Sequence, residues 1–322
     1  MIFDHYRTIL FINKEKIRWA KGQAPGGKVF DPVQELPWSE KNLRSALEDI
    51  AARFPKKIRI VVGEEFSYVV SFPKDKKSGS VISEARALIP ESLQDGWDSC
   101  EGQSDNVQVM AVRQEFFLAL KKALWEAKSR VEAIEAESVS LSRVIPESKN
   151  ETIFAARYDE KILLTVTRNG LVIATKIFFQ LPEKEKIQEF VDYISNQKNI
   201  PLNSVYIEDK VGSLTDIFRS LKFAVQEKSL NPMVGIGRKK DISGRDEKVL
   251  NIFLGEKTGE NENKIKDNST LRKKVILAVF LLVFLGGIAA VYFINKSRQK
   301  AVKIIPSNRE KQEDQVGLLW EK

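Results

Sequence analysis

Hydrophobic and polar positions along the chain follow two different periods, and the two periods alternate. Apolar residues at every second position, or in short unbroken runs, predict strands, whereas helical spacing predicts helices. Strands and helices interleaved along a chain are typical of an α/β fold. In the first part of the chain the pattern predicts strands at 8–12, 16–20, 58–62, 66–72, 107–112 and 131–135, and helices at 39–54, 80–89, 115–128 and 137–144.

The same pattern begins again near residue 146. Three successive strands separated by tight turns, one of them Asn169-Gly170, predict an antiparallel meander. Two units of meander, helix, strand and helix predict an internally duplicated two-lobed α/β domain, with halves at 1–145 and 146–237. The elements of the second unit are strands at 152–157, 161–167, 171–178 and 204–207, and helices at 183–196 and 213–226.

A long apolar segment, residues 275–294, reads VILAVFLLVFLGGIAAVYFI and carries no charge. At about 1.5 Å per residue it would form a helix of roughly 30 Å, which matches the apolar thickness of a bilayer. Basic residues stand on both sides of the segment, as expected for anchoring at two membrane interfaces. The segment therefore predicts a single transmembrane helix.

The orientation of this helix is inferred from the start of the chain, because the basic residues on its two sides balance. The N-terminal region lacks the apolar core and cleavage site of a signal peptide. We therefore expect a cytoplasmic N-terminal domain and a short extracytoplasmic tail at 295–322. Gly286 and Ala290 lie on one face of the predicted helix, where small residues let helices approach closely, which leaves a homodimer open.

Charge and composition exclude several classes of protein. The net charge is +8, but residues 261–322 hold 12 Lys and Arg against 6 Asp and Glu, so 40 basic and 38 acidic residues remain elsewhere. A nearly neutral domain argues against a dedicated nucleic-acid surface. With one cysteine, Cys100, and one histidine, His5, the chain cannot form an intramolecular disulfide or a cysteine-rich zinc site, and histidine-based catalysis would depend on His5 alone. We predict no catalytic or metal-binding residue.

One stretch carries a family resemblance. Residues 107–145, VQVMAVRQEFFLALKKALWEAKSRVEAIEAESVSLSRVI, resemble the signature region of PilM, the actin-like protein of type IV pilus assembly, through Ala111–Arg113 and Glu137–Arg143. The resemblance covers roughly residues 5–237. It implies a duplicated actin-like, ribonuclease H-like domain with a small inserted subdomain in its first half. The transmembrane segment also resembles the arrangement of GspL, the type II secretion relative.

The resemblance also implies a nucleotide cleft, whose turns use glycine to bring backbone N–H groups close to phosphates. The corresponding turns here are residues 12–16, 158–161 and 208–213, and each has lost glycines of the family pattern. We therefore expect neither ATP hydrolysis nor a bound cofactor, and interpret Asp159 as a solvated turn residue. Residual ATP binding stays open.

A short apolar island stands between the polar linkers 238–248 and 255–270. It resembles the N-terminal motif of PilN, the membrane partner whose peptide docks on PilM, and a basic linker and a membrane helix follow in both. An exposed run of this kind would promote aggregation unless a groove or a sheet edge covers it. The alternative is an ordinary last strand of the domain. The predicted docking peptide consists of Val249, Leu250, Asn251, Ile252, Phe253 and Leu254.

Together these observations predict a non-catalytic, membrane-tethered actin-like scaffold. The resemblance implies a place in the inner-membrane platform of a type IV pilus or type II secretion system, with platform proteins and an assembly ATPase as partners. One alternative is an actin-like nucleotide switch or ATPase at the membrane. A third interpretation is a membrane-anchored interaction domain of another fold.

Overall fold

The computed structural model describes residues 6–30, 32–37, 39, 42–55, 57–73, 81–90, 96–101, 106–145, 151–158, 161–240 and 250–252. They belong to one compact unit, Met1–Gly255. The predicted membrane segment 275–294, with Gly286 and Ala290, and the tail 295–322 lie outside the described residues. No helix in the described ranges has the length and apolar character needed to cross a bilayer.

The described residues form fourteen strands and seven α-helices. In chain order these are β1 (Tyr6–Ile12), β2 (Lys16–Gln23), β3 (Lys28–Val29), β4 (Gln34–Pro37), α1 (Leu43–Arg53), β5 (Lys57–Val62), β6 (Ser67–Pro73), α2 (Val81–Leu88), β7 (Trp97–Glu101), β8 (Asn106–Val112), α3 (Gln114–Glu126), β9 (Arg130–Ala136), α4 (Glu137–Leu141), β10 (Thr152–Tyr158), β11 (Lys161–Arg168), β12 (Leu171–Phe178), α5 (Lys184–Lys198), β13 (Ser204–Glu208), α6 (Ser213–Ser220), β14 (Ala224–Glu227) and α7 (Pro232–Arg238).

The first sheet has the order β3-β2-β1-β5-β9, with β4 also paired to β2. Strand β1 is antiparallel to β2 and parallel to β5, and β5 is parallel to β9. One face of β1 packs with α1 and α3 in a large apolar core through Leu10 and Ile12. The other face, with Ile9 and Phe11, packs against Ile236 of α7. Strand β9 is the edge of this sheet.

The second sheet repeats this arrangement in the order β12-β11-β10-β13-β14. Strands β10, β11 and β12 form an antiparallel meander, and β13 and β14 add to it in parallel. Helices α5 and α6 cover one face and bury apolar side chains such as Ile187 and Phe218. Both sheets thus share one strand order and one pattern of directions, as a duplicated fold predicts.

A third, three-stranded sheet is inserted between β5 and α3. Its order is β6-β8-β7, and α2 packs on it through Ala85 and Ile89. Strand β6 lies beside β12 of the second sheet, where the Ser71 hydroxyl donates a hydrogen bond to the Val172 carbonyl (2.5 Å). The inserted sheet therefore connects the two halves of the fold.

Several sequence predictions are wrong in detail. The helix predicted at 213–226 ends at Ser220, because Lys222 has a positive φ of 64°, and the chain continues as β14. Helix α1 begins at Leu43, with Asn42 rather than the start of the predicted range as its cap. The pattern also missed β3, β4 and β7. The meander predicted at 152–178 is confirmed.

Candidate peptide-docking site

Residues 250–252 lie along the outer edge of β9, where the first sheet ends. An edge strand presents backbone N–H and C=O groups that need partners. Asn251 supplies both kinds of partner: its Oδ1 accepts a hydrogen bond from the Ile134 N–H (2.8 Å), and its Nδ2 donates to the Glu132 carbonyl (3.0 Å). The Ile252 N–H donates to the Ile134 carbonyl (3.0 Å). The segment therefore continues the hydrogen bonding of the sheet, largely through one side chain.

Charged side chains from two other elements hold the backbone of this segment. Asp98 of β7 accepts a hydrogen bond from the Asn251 N–H (2.6 Å). Lys239, directly after α7, donates to the Leu250 carbonyl and lies 3.1 Å from a carboxylate oxygen of Glu135. The inserted sheet, the end of α7 and β9 thus meet at the same three residues.

The buried charges of the site compensate one another. Burial lowers the pKa of Lys239, and Glu135 opposes that effect. Burial alone would raise the pKa of Glu135, but Arg143 and Lys239 hold it below its usual value. Glu135 also accepts a hydrogen bond from the Ser140 hydroxyl (2.5 Å). The lowered pKa of Glu135 keeps its carboxylate charged near neutral pH, and the Lys239 amino group beside it donates to the peptide carbonyl of Leu250.

The side chains on either side of Asn251 complete the apolar core. Leu250 and Ile252 are buried and belong to the same cluster as Ile134 and Phe116. Cys100 of β7 lies in this cluster too, and burial raises the pKa of its thiol to about 11. Cys100 is thus a packing residue of the site, and its thiol stays protonated.

The structure brings three of the six predicted peptide residues together at β9. Val249, Phe253 and Leu254 lie outside the described residues. The three described residues do not form a regular ladder with β9, since Asn251 bonds to it through its side chain. Sequence reasoning missed Asp98, Lys239 and Glu135. Asp98 and Glu135 meet their partners Asn251 and Lys239 across more than a hundred residues of sequence, and a linker separates Lys239 from the peptide.

A second group of buried charges lies between the hairpin turns of the two sheets. Lys161, at the start of β11, lies 2.6 Å from a carboxylate oxygen of Glu137 and 2.9 Å from one of Glu65. Glu65 also accepts a hydrogen bond from the Lys14 N–H in the turn between β1 and β2 (2.5 Å). The two hairpin turns, which in the resembled family face a nucleotide, are therefore joined by side chains of this chain.

Two buried glutamates bond reciprocally beside Lys161. The Glu64 N–H donates to Glu137 (3.1 Å), and the Glu64 carboxylate accepts from the N–H and the hydroxyl of Ser138. Burial, and then the charge of Glu137, raises the pKa of Glu64 to about 7. Burial also raises the pKa of Glu137, whereas Lys161 opposes that effect. Burial tends to lower the pKa of Lys161, but the two carboxylates raise it.

A cleft of about 400 Å³ lies near these turns. Two of its basic side chains have acidic partners: Arg157 lies 3.4 Å from Asp209, and Arg18 lies 3.3 Å from Glu35. Asp159 lies outside the described residues. Within the described ranges, no three His, Cys, Asp or Glu side chains are arranged to hold a metal ion. The lining includes Phe11, Arg18, Arg157, Tyr158, Glu208 and Lys210.

Gly235 and Gly237 lie within α7. A Cβ on Gly235 would stand 1.9 Å from the Ser140 carbonyl oxygen, so glycine allows α7 and α4 to cross in contact. Arg59 donates to the carbonyls of Ile236 and Lys239 at the end of α7. This helix therefore packs tightly against α4 and the first sheet and positions Lys239 for the peptide.

The architecture of the described residues is similar to that of several solved structures, although the sequence comparisons find no match. No family model matches the chain, and no curated protein matches it. The PilM–PilN type IV pilus biogenesis complex has a TM-score of 0.52 with 12% identity, over 70% of this chain and 88% of the other. The described part of this chain therefore shares its fold with the matched chain of that complex. This supports the mixed α/β actin-like fold that the resemblance implied.

Two other solved structures are similar. The cytoplasmic domain of EpsL, an inner-membrane component of the type II secretion system of Vibrio cholerae, has a TM-score of 0.48 with 10% identity, over 72% of this chain and 93% of the other. A protein of unknown function with an actin-like ATPase fold from Bacteroides thetaiotaomicron has a TM-score of 0.49 with 12% identity, over 74% of this chain and 98% of the other.

Proposed function

We propose that the chain is a non-catalytic, membrane-tethered actin-like scaffold in the inner-membrane platform of a type IV pilus or type II secretion system. The observation that carries the proposal is the seating of residues 250–252 on the edge of β9, with Asn251 bonded to the β9 backbone. The fold shared with the PilM–PilN complex supports it. In this chain the peptide and the domain that receives it are parts of one polypeptide.

The order of segments along the chain gives the proposed architecture. The two actin-like halves at 1–145 and 146–237 lie in the cytoplasm, and residues 238–274 contain the docked peptide and a linker. Residues 275–294 cross the inner membrane, and the tail 295–322 lies outside it. The docked peptide fixes the start of the tether on the domain, so that force or motion at the domain reaches the membrane through a short linker.

The proposal of a non-catalytic protein is supported by the buried charges between the hairpin turns. Lys161 pairs with both Glu65 and Glu137 beside the turns that would face the phosphates of a nucleotide. The glycines that would let a phosphate approach these turns are absent from the sequence. A scaffold can use such pairs to keep its two halves in one arrangement.

Co-purification tests the proposed role. The full chain, tagged and recovered from native membranes, should bring down platform proteins and an assembly ATPase. The Asn251→Ala variant should lose part of this set, because its peptide no longer seats on β9, whereas Asn196→Ala on the exposed face of α5 should keep it. Recovery of the chain without any pilus or secretion component would refute the proposal.

One observation favours a second candidate, a nucleotide-dependent switch. The cleft of about 400 Å³ between the halves is lined by Arg18, Arg157 and Lys210, which could attract an anion. Calorimetric titration of Mg-ATP into the detergent-solubilised full chain distinguishes the two. Saturable stoichiometric binding would favour the switch, and the scaffold proposal expects none from folded protein.

A further inference from the structure

Helix α3 exposes an unusual pair of apolar side chains. Its buried face, including Phe117 and Leu120, packs in the core, but Trp125 is 85% exposed and Leu118 is 49% exposed. The two residues are seven positions apart, so they lie on the same face of the helix. Lys122 lies between them and is also exposed. An exposed tryptophan of this kind leaves a large apolar area in water, which indicates a contact that the domain alone does not make.

The charge around this face is positive. Four bases and two acids lie between residues 114 and 130, and one of the acids, Glu126, pairs with Arg44 of α1 (3.2 Å). Lys128 and Arg130, directly after the helix, are exposed. The face therefore combines a tryptophan and a leucine with several bases. Lys is depleted at the centre of protein interfaces, whereas Trp together with Lys is the composition expected of a helix on a lipid headgroup layer.

The position of the tether points to the same surface. Helix α3 runs directly into β9, and the described chain ends at Ile252, which is bonded to β9. From there 22 residues lead to Val275, the first residue of the predicted membrane helix. A flexible chain of that length spans about 26 Å on average. The domain is thus held within a short distance of the bilayer by a tether that starts on the strand next to α3.

We propose that the α3 face, defined by Leu118, Lys122 and Trp125 with Lys128 and Arg130 beyond the helix, docks on an anionic lipid surface. Trp125 and Leu118 would enter the headgroup region, and the bases would contact lipid phosphates. The proposal rests on the membrane tether of the proposed function. It adds a second point of attachment, which fixes the orientation of the domain relative to the bilayer.

The test uses the full chain reconstituted into vesicles that contain lipids brominated on their acyl chains, which quench nearby tryptophan. The chain has five tryptophans, so the Trp125 signal has to be isolated. It is obtained by subtracting the emission of the Trp125→Phe variant from that of the wild type in the same vesicles. We expect most of the Trp125 emission to be quenched in phosphatidylglycerol vesicles and far less in pure phosphatidylcholine. Lys122→Glu should weaken the contact about 25-fold, from about fivefold for each unit of charge changed.

Two controls make the result specific. In the Trp125→Phe background, Tyr193→Trp places a tryptophan at a 63% exposed site on α5, and its emission should stay unquenched. Lys186→Glu on α5 should leave the Trp125 signal unchanged. Equal quenching at both sites, or none at Trp125, overturns the lipid-docking proposal. Alkaline carbonate extraction is run in parallel: if the chain is extracted from membranes, the tether itself fails, whereas a retained chain with unquenched Trp125 refutes the α3 contact alone.

Discussion

Replacing Asn251 with alanine tests the docking site most directly. The substitution removes the acceptor of the Ile134 N–H and the donor to the Glu132 carbonyl, both on the buried edge of β9. Leu250 and Ile252 flank the gap and keep water out. Leaving a buried donor or acceptor without a partner costs about 1–3 kcal/mol, so the two together weaken docking by about 4 kcal/mol.

A loss of that size changes the equilibrium constant between the docked and undocked states roughly a thousandfold. Hydrogen exchange measures it, because the Ile134 amide exchanges only when the peptide leaves or the sheet opens. The Ile134 amide, followed in peptides that cover residues 130–136, should exchange about a thousandfold faster in Asn251→Ala than in the wild type. Peptides from the second sheet should be unaffected. The Asn196→Ala variant on α5 serves as the control.

An aspartate at position 251 refines the result. It keeps an acceptor for the Ile134 N–H but directs a carboxylate oxygen at the Glu132 carbonyl, so Asn251→Asp should be at least as harmful as alanine. Unchanged exchange at β9 in either variant would show that Asn251 does not hold the peptide, and the argument for docking through this residue would be refuted.

Further predictions concern the interior of the domain. The folded protein raises the pKa of Glu64 to about 7, so it retains a proton that the unfolded chain releases near pH 4.5, and wild-type stability should fall as pH rises from about 4.5 to 7. Glu64→Gln should remove this part of the pH dependence, which is on the order of 3 kcal/mol in the free energy of unfolding. Urea unfolding at pH 5 and pH 8 measures it, and a difference between the two pH values as large as in the wild type would contradict the prediction. Gly235→Ala should destabilise the domain by about 3 kcal/mol, seen as a lower Tm, because its Cβ would clash with the Ser140 carbonyl, and an unchanged Tm would contradict close packing of α7 on α4.

Local pattern was enough for most of the fold because most strands here are apolar on at least one face and continuous. It failed at β14, since helical spacing continues from α6 and the chain stops the helix with a positive φ at Lys222 rather than with a glycine. It failed at β7 because Trp97–Glu101 alternates weakly and is ordered by pairing with β8 and by packing of Trp97 with α2. Short edge strands gain their structure from the sheet they join, and this information is not local.

At the candidate site, too, the sequence pattern predicted one part, and the other part depends on contacts between distant residues. The apolar island at 249–254 was visible because an exposed run of that kind needs a partner. The sequence did not indicate that β9 is the strand that receives this segment, since any edge strand offers the same backbone groups. Asp98 and Lys239 are ordinary charged residues in sequence. Only the meeting of the inserted sheet with the end of α7 gives them the Asn251 N–H and the Leu250 carbonyl as partners.

The buried charges indicate how the peptide and the domain depend on each other. A buried ammonium is stabilised only if its hydrogen bonds are met, and Lys239 directs its own toward Glu135 and the Leu250 carbonyl. Loss of the peptide would remove the carbonyl, open the β9 edge and expose the core around Ile134. The peptide therefore behaves as part of the core, and we expect its release to destabilise the first half of the domain. A competing strand would have to supply partners for the Ile134 N–H and the Glu132 carbonyl and two apolar side chains in place of Leu250 and Ile252, which are the same contacts that stabilise the fold.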